Sequence, residues 1–203
     1  MTGPSSDASE NLYAPPQAAT HESATATGQS TPFYVVSVAK VVVLMFVTVG
    51  IYQFYWFWRH WKMQKIATKL DIWPVARAIF SIFFTHNLFG EIDLRLKRER
   101  VPLSWAPSMW ATLYVVAVLA ARIANRLPDE LVPLTAALAV TAAGLAASTL
   151  SLAMAQRAAN HACGDPAADA NRKFTWVNWI WIVAGSLFWV LVCVGAMSPE
   201  QPQ

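Results

Sequence analysis

The stretch that decides the fold is VVVLMFVTVGIYQFYWFWRHWKMQKIATK, residues 41–69. It begins as an apolar run, passes through a block of aromatic residues, and ends in cations with no acidic residue among them. This order is typical of a helix that leaves the hydrocarbon core, crosses the headgroup region and enters the cytoplasm. It predicts a first membrane span over residues 41–58, about 27 Å of helix.

The composition of the chain also indicates a membrane protein. Apolar residues make up 56% of its 203 residues, charged residues make up only 13%, and the mean hydropathy is +0.37. Soluble domains carry about 25% charged residues, so this chain lacks the charge to cover a soluble surface. Ten Trp point the same way, because Trp concentrates at membrane–water interfaces.

Charge and motif content exclude several classes of function. The net charge is +3, and the cations flank apolar segments instead of forming a dispersed basic face, so we expect no nucleic-acid partner. Cys163 and Cys193 have no CxxC spacing and support neither a disulfide framework nor a zinc site. Motifs of hydrolases, metalloproteases and nucleotide-binding enzymes are absent. We therefore predict no catalytic residue, no metal and no cofactor.

The predicted fold class is all-α, an integral membrane bundle of four transmembrane helices plus one amphipathic or re-entrant segment. Beyond the first span, further spans are predicted over residues 105–125, 133–155 and 175–197. The intervening segment, residues 75–100, combines a short apolar half with a charged half, so we expect it to lie at the membrane interface.

The N-terminal residues differ in composition from the rest of the chain. Residues 1–31 are rich in Ser, Thr, Ala, Pro and Gly and nearly lack aliphatic residues, which predicts a disordered polar tail. Residues 32–203 are predicted to form the helical membrane domain.

The distribution of Lys and Arg predicts the orientation. Nine cations lie between Arg59 and Ser104 and three follow the third span, against three on the opposite side of the membrane. By the positive-inside rule the basic loops are cytoplasmic and both termini lie outside. Lys40, at the start of the first span, is predicted to be a snorkelling interface anchor.

The basic and aromatic residues that flank the spans are the candidate site for lipid. Cations beside a span attract anionic headgroups by about 1 kcal/mol each. The predicted lipid or interface belt consists of Trp56, Trp58, Arg59, Trp61, Lys62, Lys65, Trp176 and Trp179. Within it, His60 is a candidate for titration near neutral pH, and the alternative is that it merely sits among headgroups.

Two further sets of residues are candidates for packing or for a pathway. Gln53 is polar within an apolar helix, and Ala139, Ala143 and Ala147 recur at four-residue spacing, so we predict that both pack against neighbouring helices. The pair His86 and Asn87 lies inside the short apolar segment. A re-entrant turn would need such polar groups, and the alternative is an interfacial turn wetted by headgroups.

The residues GIYQFYWFWRHW, Gly50–Trp61, together with Lys62, resemble a signature of small bacterial multi-pass inner-membrane proteins, roughly Gly-Leu/Ile-Tyr-x-x-Tyr-Trp-Phe-Tyr-x-x-Trp-Lys. Trp58 stands where the signature has Tyr. The resemblance extends more loosely to FYVVSVAK before the first span and to Asn171–Trp179 before the last. It implies a bacterial inner (plasma) membrane protein and no particular activity.

Three hypotheses of function follow. The leading one is a non-enzymatic accessory or scaffold subunit that engages anionic lipid and partner helices, either of itself or of another membrane protein. The alternative is a homo-oligomeric channel or a lipid or small-solute transport protein, with the segment around His86 as a re-entrant element. The third is a membrane enzyme that acts on lipid through His60 or His86.

Overall fold

The computed structural model describes residues 31–128 and 130–197, and within these ranges the chain is all-α, with seven α-helices and no strand. The predicted fold class is confirmed at that level. The helices are α1 (Val38–Val47), α2 (Tyr52–Thr68), α3 (Pro74–Ile79), α4 (Ser81–Arg98), α5 (Pro107–Ala124), α6 (Leu134–Ala162) and α7 (Trp176–Met197). The predicted polar tail, residues 1–31, lies outside the described residues except for Thr31.

The predicted first span, residues 41–58, is not one continuous helix. α1 ends at Val47 in a Schellman motif, in which the Gly50 amide donates to the Met45 carbonyl at 2.7 Å and the Val49 amide donates to the Phe46 carbonyl at 3.1 Å. Both turn residues adopt the left-handed conformation, with φ of 50° at Val49 and 82° at Gly50. A β-branched residue in that conformation costs about 1–3 kcal/mol, so packing around the turn must maintain it.

α1 and α2 form a helical hairpin whose two arms end beside the same part of α6. Before α1, the Asn160 side-chain amide donates to the Val36 carbonyl at 3.0 Å. In α2, the Trp56 indole donates to the Gln156 side-chain carbonyl at 2.7 Å. Gln156 and Asn160 are one helical turn apart in α6. The segment before α1 and the first turns of α2 therefore lie at nearly the same height along α6. Residues 41–58 therefore do not form the single continuous helix that the sequence predicts.

Lys40 is buried at the base of this hairpin instead of snorkelling to the surface. Its side chain is only 2% exposed. The ammonium group donates to the Asn171 side-chain carbonyl at 2.7 Å and to the Lys173 backbone carbonyl at 2.8 Å. Loop oxygens between α6 and α7 thus replace the water that an interface anchor would reach, and the predicted role of Lys40 is wrong.

The described N-terminal end of the chain lies with the basic loops. The Cys163 thiol donates to the Phe33 carbonyl at 3.7 Å, and Thr31 lines a shallow cavity together with Arg95 and His161. We call this region, which also holds the α6–α7 loop, the basic end of the molecule. The predicted placement of the N-terminus opposite the basic loops does not fit these contacts.

The predicted interfacial segment, residues 75–100, consists of α3 and α4, which are separated at Phe80. α4 is amphipathic: one face is buried and the other carries ion pairs between Asp93 and Lys97 at 2.7 Å and between Arg95 and Glu99 at 3.0 Å. Its buried apolar residues are Leu88, Phe89, Ile92 and Leu96. The helix continues through His86 and Asn87 without interruption, so this pair forms no re-entrant turn.

α5 and α6 form an antiparallel pair. The Asn125 side-chain amide donates to Thr141 near the connecting turn, and Gly144 lies against Ala117 further along both helices. Among the described residues, these two helices are the ones long and apolar enough to cross a membrane. This finding indicates association with a membrane and accounts for two of the four predicted spans.

The close approach of α5 and α6 uses a different stripe from the predicted one. A Cβ on Gly144 would lie 2.9 Å from the Ala117 carbonyl oxygen and 3.1 Å from the Ala121 Cβ. Ala139 and Ala143 are exposed, and Ala147 is half-buried. The predicted alanine stripe therefore faces away from α5, because the helical period turns Gly144 and Ser148 inward.

α7 packs beside the hairpin through a glycine. A Cβ on Gly185 would clash with the Val47 carbonyl oxygen, and the Trp189 indole donates to the Phe46 carbonyl at 3.1 Å. Most other described side chains of α7 are apolar and exposed. The helix thus touches the molecule along a narrow line and leaves the rest of its apolar surface uncovered.

Substitution of Gly144 by Ala is expected to destabilise the protein by about 1–3 kcal/mol, because the added methyl group must push two backbones apart. Gly90→Ala in α4 is the matched control, since a Cβ there meets nothing within 4 Å. The control is expected to be neutral or stabilising by about 1 kcal/mol from helix propensity. Denaturant-induced unfolding of the purified protein in mild detergent measures both. Equal stability of the two variants would contradict the glycine contact.

Candidate functional site

α2 has a buried face and an outer face, and the helical period sets the division. The buried face packs against the remainder of the molecule, and its residues are Trp56, Phe57, His60, Trp61 and Gln64. Trp56 and Trp61 are 0% and 2% exposed, respectively. A buried ring does not contact lipid, so these two members of the predicted belt are wrong.

The outer face of α2, together with Tyr34, which precedes α1, forms what we call the cationic aromatic surface: Tyr34, Tyr55, Trp58, Arg59 and Lys62. The Arg59 guanidinium lies 4.9 Å from the centre of the Tyr34 ring, and the Lys62 ammonium lies 5.1 Å from the centre of the Trp58 ring. The rings contact each other edge-on or tilted, with Tyr34 to Tyr55 at 6.1 Å and Tyr55 to Trp58 at 5.7 Å. Such cation–π contacts orient the cations without neutralising them.

Arg59 and Lys62 have no carboxylate within ion-pair distance in the described part of the chain. The Nε of Arg59 is also buried without a hydrogen-bond partner among the described residues. Lys65 differs, since its ammonium lies 3.6 Å from an Asp71 carboxylate oxygen and donates to the Ile72 carbonyl at 2.9 Å. The surface therefore holds two cations whose charge is available to an external anion.

A set of large apolar side chains between the last turns of α2 and the start of α4 is exposed, and we call it the interfacial apolar face. Its members are Ile66, Leu70, Trp73, Val75, Ile79, Phe80 and Phe83. Trp73 and Phe83 are the most exposed, at 73% and 72%. Large exposed apolar side chains in this number mark a surface that another apolar phase covers.

A buried polar network behind α2 positions the cationic aromatic surface. The Gln156 side-chain carbonyl accepts hydrogen bonds from the Trp56 indole at 2.7 Å and from His60 Nε2 at 3.2 Å. The Gln156 amide donates to the Tyr34 carbonyl at 2.9 Å and to the Asn160 side-chain carbonyl at 2.7 Å. α6 thereby fixes Tyr34 and α2 relative to each other. Sequence reasoning missed this network, although two amides at i and i+4 in an apolar helix are a signal for it.

His60 is a member of the core and does not meet headgroups. It is fully buried, and its Nδ1 has no partner among the described residues. Burial lowers the pKa of His60 to about 3, and the nearby Arg59 charge acts in the same direction. The imidazole is therefore neutral at physiological pH, and its predicted titration near neutrality is wrong.

Gln53 does contact a neighbouring helix: the Tyr114 hydroxyl of α5 donates to its side-chain carbonyl at 2.6 Å. His86 and Asn87 are exposed on α4, and His86 Nε2 lies 3.1 Å from the Thr112 hydroxyl of α5. These positions support packing for Gln53 and give His86 and Asn87 no cavity to line.

Trp176 and Trp179 are exposed at the start of α7, 74% and 57% respectively. Their place in an interface belt stays a prediction. Within the described part of the chain, no three His, Cys, Asp or Glu side chains lie close enough together to hold a metal ion.

Comparison with family models, with curated proteins and with solved structures finds no match to this chain. The resemblance of residues 50–62 to a bacterial membrane-protein signature therefore stays a prediction. In the structure, the first residue of that signature is the left-handed Gly50 of the hairpin turn.

Acidification from about pH 7.5 to about pH 5 is expected to destabilise the protein by about 2 kcal/mol through His60. In the unfolded chain the imidazole takes up a proton below its ordinary pKa of about 6.5, whereas in the folded protein it stays neutral. The free energy of unfolding therefore decreases as the pH is lowered. Denaturation of the wild type and of His60→Gln across this range measures the effect, with exposed His86→Gln as the control. An unchanged pH slope in His60→Gln would contradict the assignment.

Proposed function

We propose that this chain is a non-enzymatic multi-pass membrane protein that binds anionic lipid headgroups at the cationic aromatic surface and serves as an accessory or scaffold subunit. The observation that carries the proposal is the pair Arg59 and Lys62, which are held on aromatic rings and have no carboxylate partner in the described part of the chain. Ile66, a member of the interfacial apolar face, follows Lys62 by about one turn of α2. Positive charge and exposed apolar side chains match the anionic headgroups and the hydrocarbon that meet at a bilayer surface.

In this proposal α5, α6 and α7 cross the bilayer, and the α1–α2 hairpin enters it from the basic end without crossing. α7 has 22 residues, and its apolar part Trp176–Val192 is about 25 Å of helix, at the lower end of the length that spans a hydrocarbon core. Its exposed apolar side chains favour lipid as their surroundings. The hairpin thus takes the place of the first of the four spans predicted from sequence.

The orientation that we propose places the basic end in the cytoplasm. The short turn between α5 and α6 then faces away from the cytoplasm. The cations next to this turn are Arg122 and Arg126, and this small number agrees with the positive-inside rule. Because Thr31 and Phe33 lie at the basic end, the N-terminal residues need not be translocated. The bilayer is the bacterial inner membrane if the sequence resemblance holds.

The energetic argument for lipid rests on charge and on apolar contact together. Each cation near an anionic surface contributes about 1 kcal/mol, and a bilayer interface also takes up exposed Trp and aliphatic side chains. Surface carboxylates would cancel this attraction, as Asp71 does in part for Lys65. Arg59 and Lys62 therefore contribute more to lipid binding than Lys65.

The scaffold role draws on the helix surfaces that the fold leaves open. Ala139 and Ala143 are exposed on α6, and small residues at four-residue spacing allow a second helix to approach closely. The narrow contact of α7 leaves further apolar surface for a partner. The partner is a second copy of this chain or another membrane protein with an apolar helix.

The double variant Arg59→Gln with Lys62→Gln is expected to lose about 2 kcal/mol of anionic-lipid binding, roughly 30-fold in affinity. Native mass spectrometry of the protein titrated with phosphatidylglycerol, and separately with phosphatidylcholine, measures the selectivity. Lys97→Gln with Arg98→Gln removes the same charge from α4 and is the matched control. Equal loss in both double variants would reduce the effect to net charge and contradict the site.

Native mass spectrometry of the intact assembly also tests the scaffold role. A stoichiometric foreign subunit, or a dimer that Ala139→Leu with Ala143→Leu disrupts, supports it. A monomer that carries lipid and no protein partner contradicts it and leaves lipid binding standing.

A further inference from the structure

Two cavities lie on opposite sides of the hairpin turn. The first, which we call the inner cavity, has a volume of about 460 Å³ and opens between α1, α2 and α7, with Lys40 and Arg59 towards the basic end. The second, the outer cavity, has a volume of about 420 Å³ and opens beside the α5–α6 turn, with Arg122 and Arg126 in its wall. Each volume exceeds what a hydrated monatomic ion needs.

One turn of backbone separates the two cavities. Thr48, Ile51 and Tyr52 line the inner cavity, whereas Gly50 and Gln53 line the outer one. Neighbouring residues of the same turn therefore line different cavities, and the turn separates the two.

The turn also lies at the middle of the helices that surround it. Gly50 packs against Leu145, near the midpoint of α6, and Val47 packs against Gly185, near the midpoint of α7. Irregular backbone at membrane depth is tolerated where it is enclosed by protein or lines a water-filled cavity. The hairpin turn has a cavity on each side, and its side chains Val49 and Ile51 are exposed at 39% and 61%.

Both cavities carry positive charge and no acidic residue among their described lining residues. Gln53, Asn125 and Thr141 add amide and hydroxyl groups to the wall of the outer cavity. In channels, Arg and Lys in the wall select anions, and half-helix ends with exposed polar groups coordinate ions at broken helices. The charge pattern therefore favours an anion over a cation.

We propose that the inner and outer cavities are the two halves of a pathway for a small inorganic anion, with the turn Thr48–Gln53 as its gate. The gate contains Val49 in the left-handed conformation, where glycine is the usual residue. A strained residue at this point lets the turn exchange between two arrangements. The pathway goes beyond the proposed lipid binding and shares Tyr34, Tyr55 and Arg59 of the inner cavity with it.

The test is chloride efflux from proteoliposomes that contain the full chain in a fixed mixture of neutral and anionic lipid. Valinomycin and a potassium gradient drive the flux, and a chloride electrode records it. Efflux above that of protein-free vesicles, without a matching potassium leak when valinomycin is omitted, supports the pathway. No efflux from vesicles that contain correctly inserted protein overturns it, and an equal potassium leak overturns the anion selectivity.

Variants locate the route. Arg122→Gln is expected to lower chloride efflux several-fold, and Val49→Gly, which removes the strain without filling space, is expected to change it several-fold. Arg98→Gln, an exposed cation that lines neither cavity, is the control and leaves efflux unchanged. If Arg122→Gln and Val49→Gly both behave like this control, the route through the turn is overturned.

The two proposals fail separately in these experiments. Lys62→Gln is expected to weaken lipid retention and to leave chloride efflux unchanged, because Lys62 lines neither cavity. Arg122→Gln is expected to do the reverse, since it lies at the end opposite the cationic aromatic surface. A parallel loss of both readouts in Arg122→Gln would overturn the separate pathway.

Discussion

A pair of buried amide side chains on α6, Gln156 and Asn160, holds this structure together. Their carbonyl and amide groups bind the backbone of Tyr34 and Val36 on one side and the side chains of Trp56 and His60 on the other. An unsatisfied buried polar group costs about 1–3 kcal/mol, so each partner must be present for the others to stay buried. The network therefore closes the α1–α2 hairpin at its open end.

The remaining architecture follows from that closure. Because both arms of the hairpin are tied to one turn of α6, the α1–α2 connection must reverse direction, and Val49 and Gly50 adopt left-handed conformations to allow it. The reversal places the turn between α6 and α7 and leaves a cavity on each side. It also points Trp58, Arg59 and Lys62 outward, where their charge has no partner among the described residues. One hydrogen-bond network thus positions both the lipid-binding surface and the gate that we propose.

Backbone proximity at two glycines completes the arrangement. Gly144 brings α6 against α5, and Gly185 brings α7 against the end of α1. In lipid no hydrophobic driving force holds helices together, so close packing of this kind supplies much of the association energy. Ala139 and Ala143 have the spacing of small residues at helix contacts but face outward. α6 therefore has one stripe of small residues packed against α5 and a second stripe that is exposed.

The sequence by itself determined the composition-level properties: an all-α chain, two helices able to cross a membrane, an amphipathic α4, and the clustering of cations near residue 60. These properties depend only on the types of the residues and on their spacing along the chain, because helix formation and the polarity of each helix face follow from local sequence. Only the tertiary structure decided that residues 41–58 fold back, that Trp56, Trp61, Lys40 and His60 are buried, and that Gly144 rather than Ala143 faces α5. An apolar run of about 18 residues satisfies the length of a span equally well as one helix or as two short ones. The choice rests on the amides of Gln156 and Asn160, about a hundred residues away in sequence, whose hydrogen bonds form only when the helices meet.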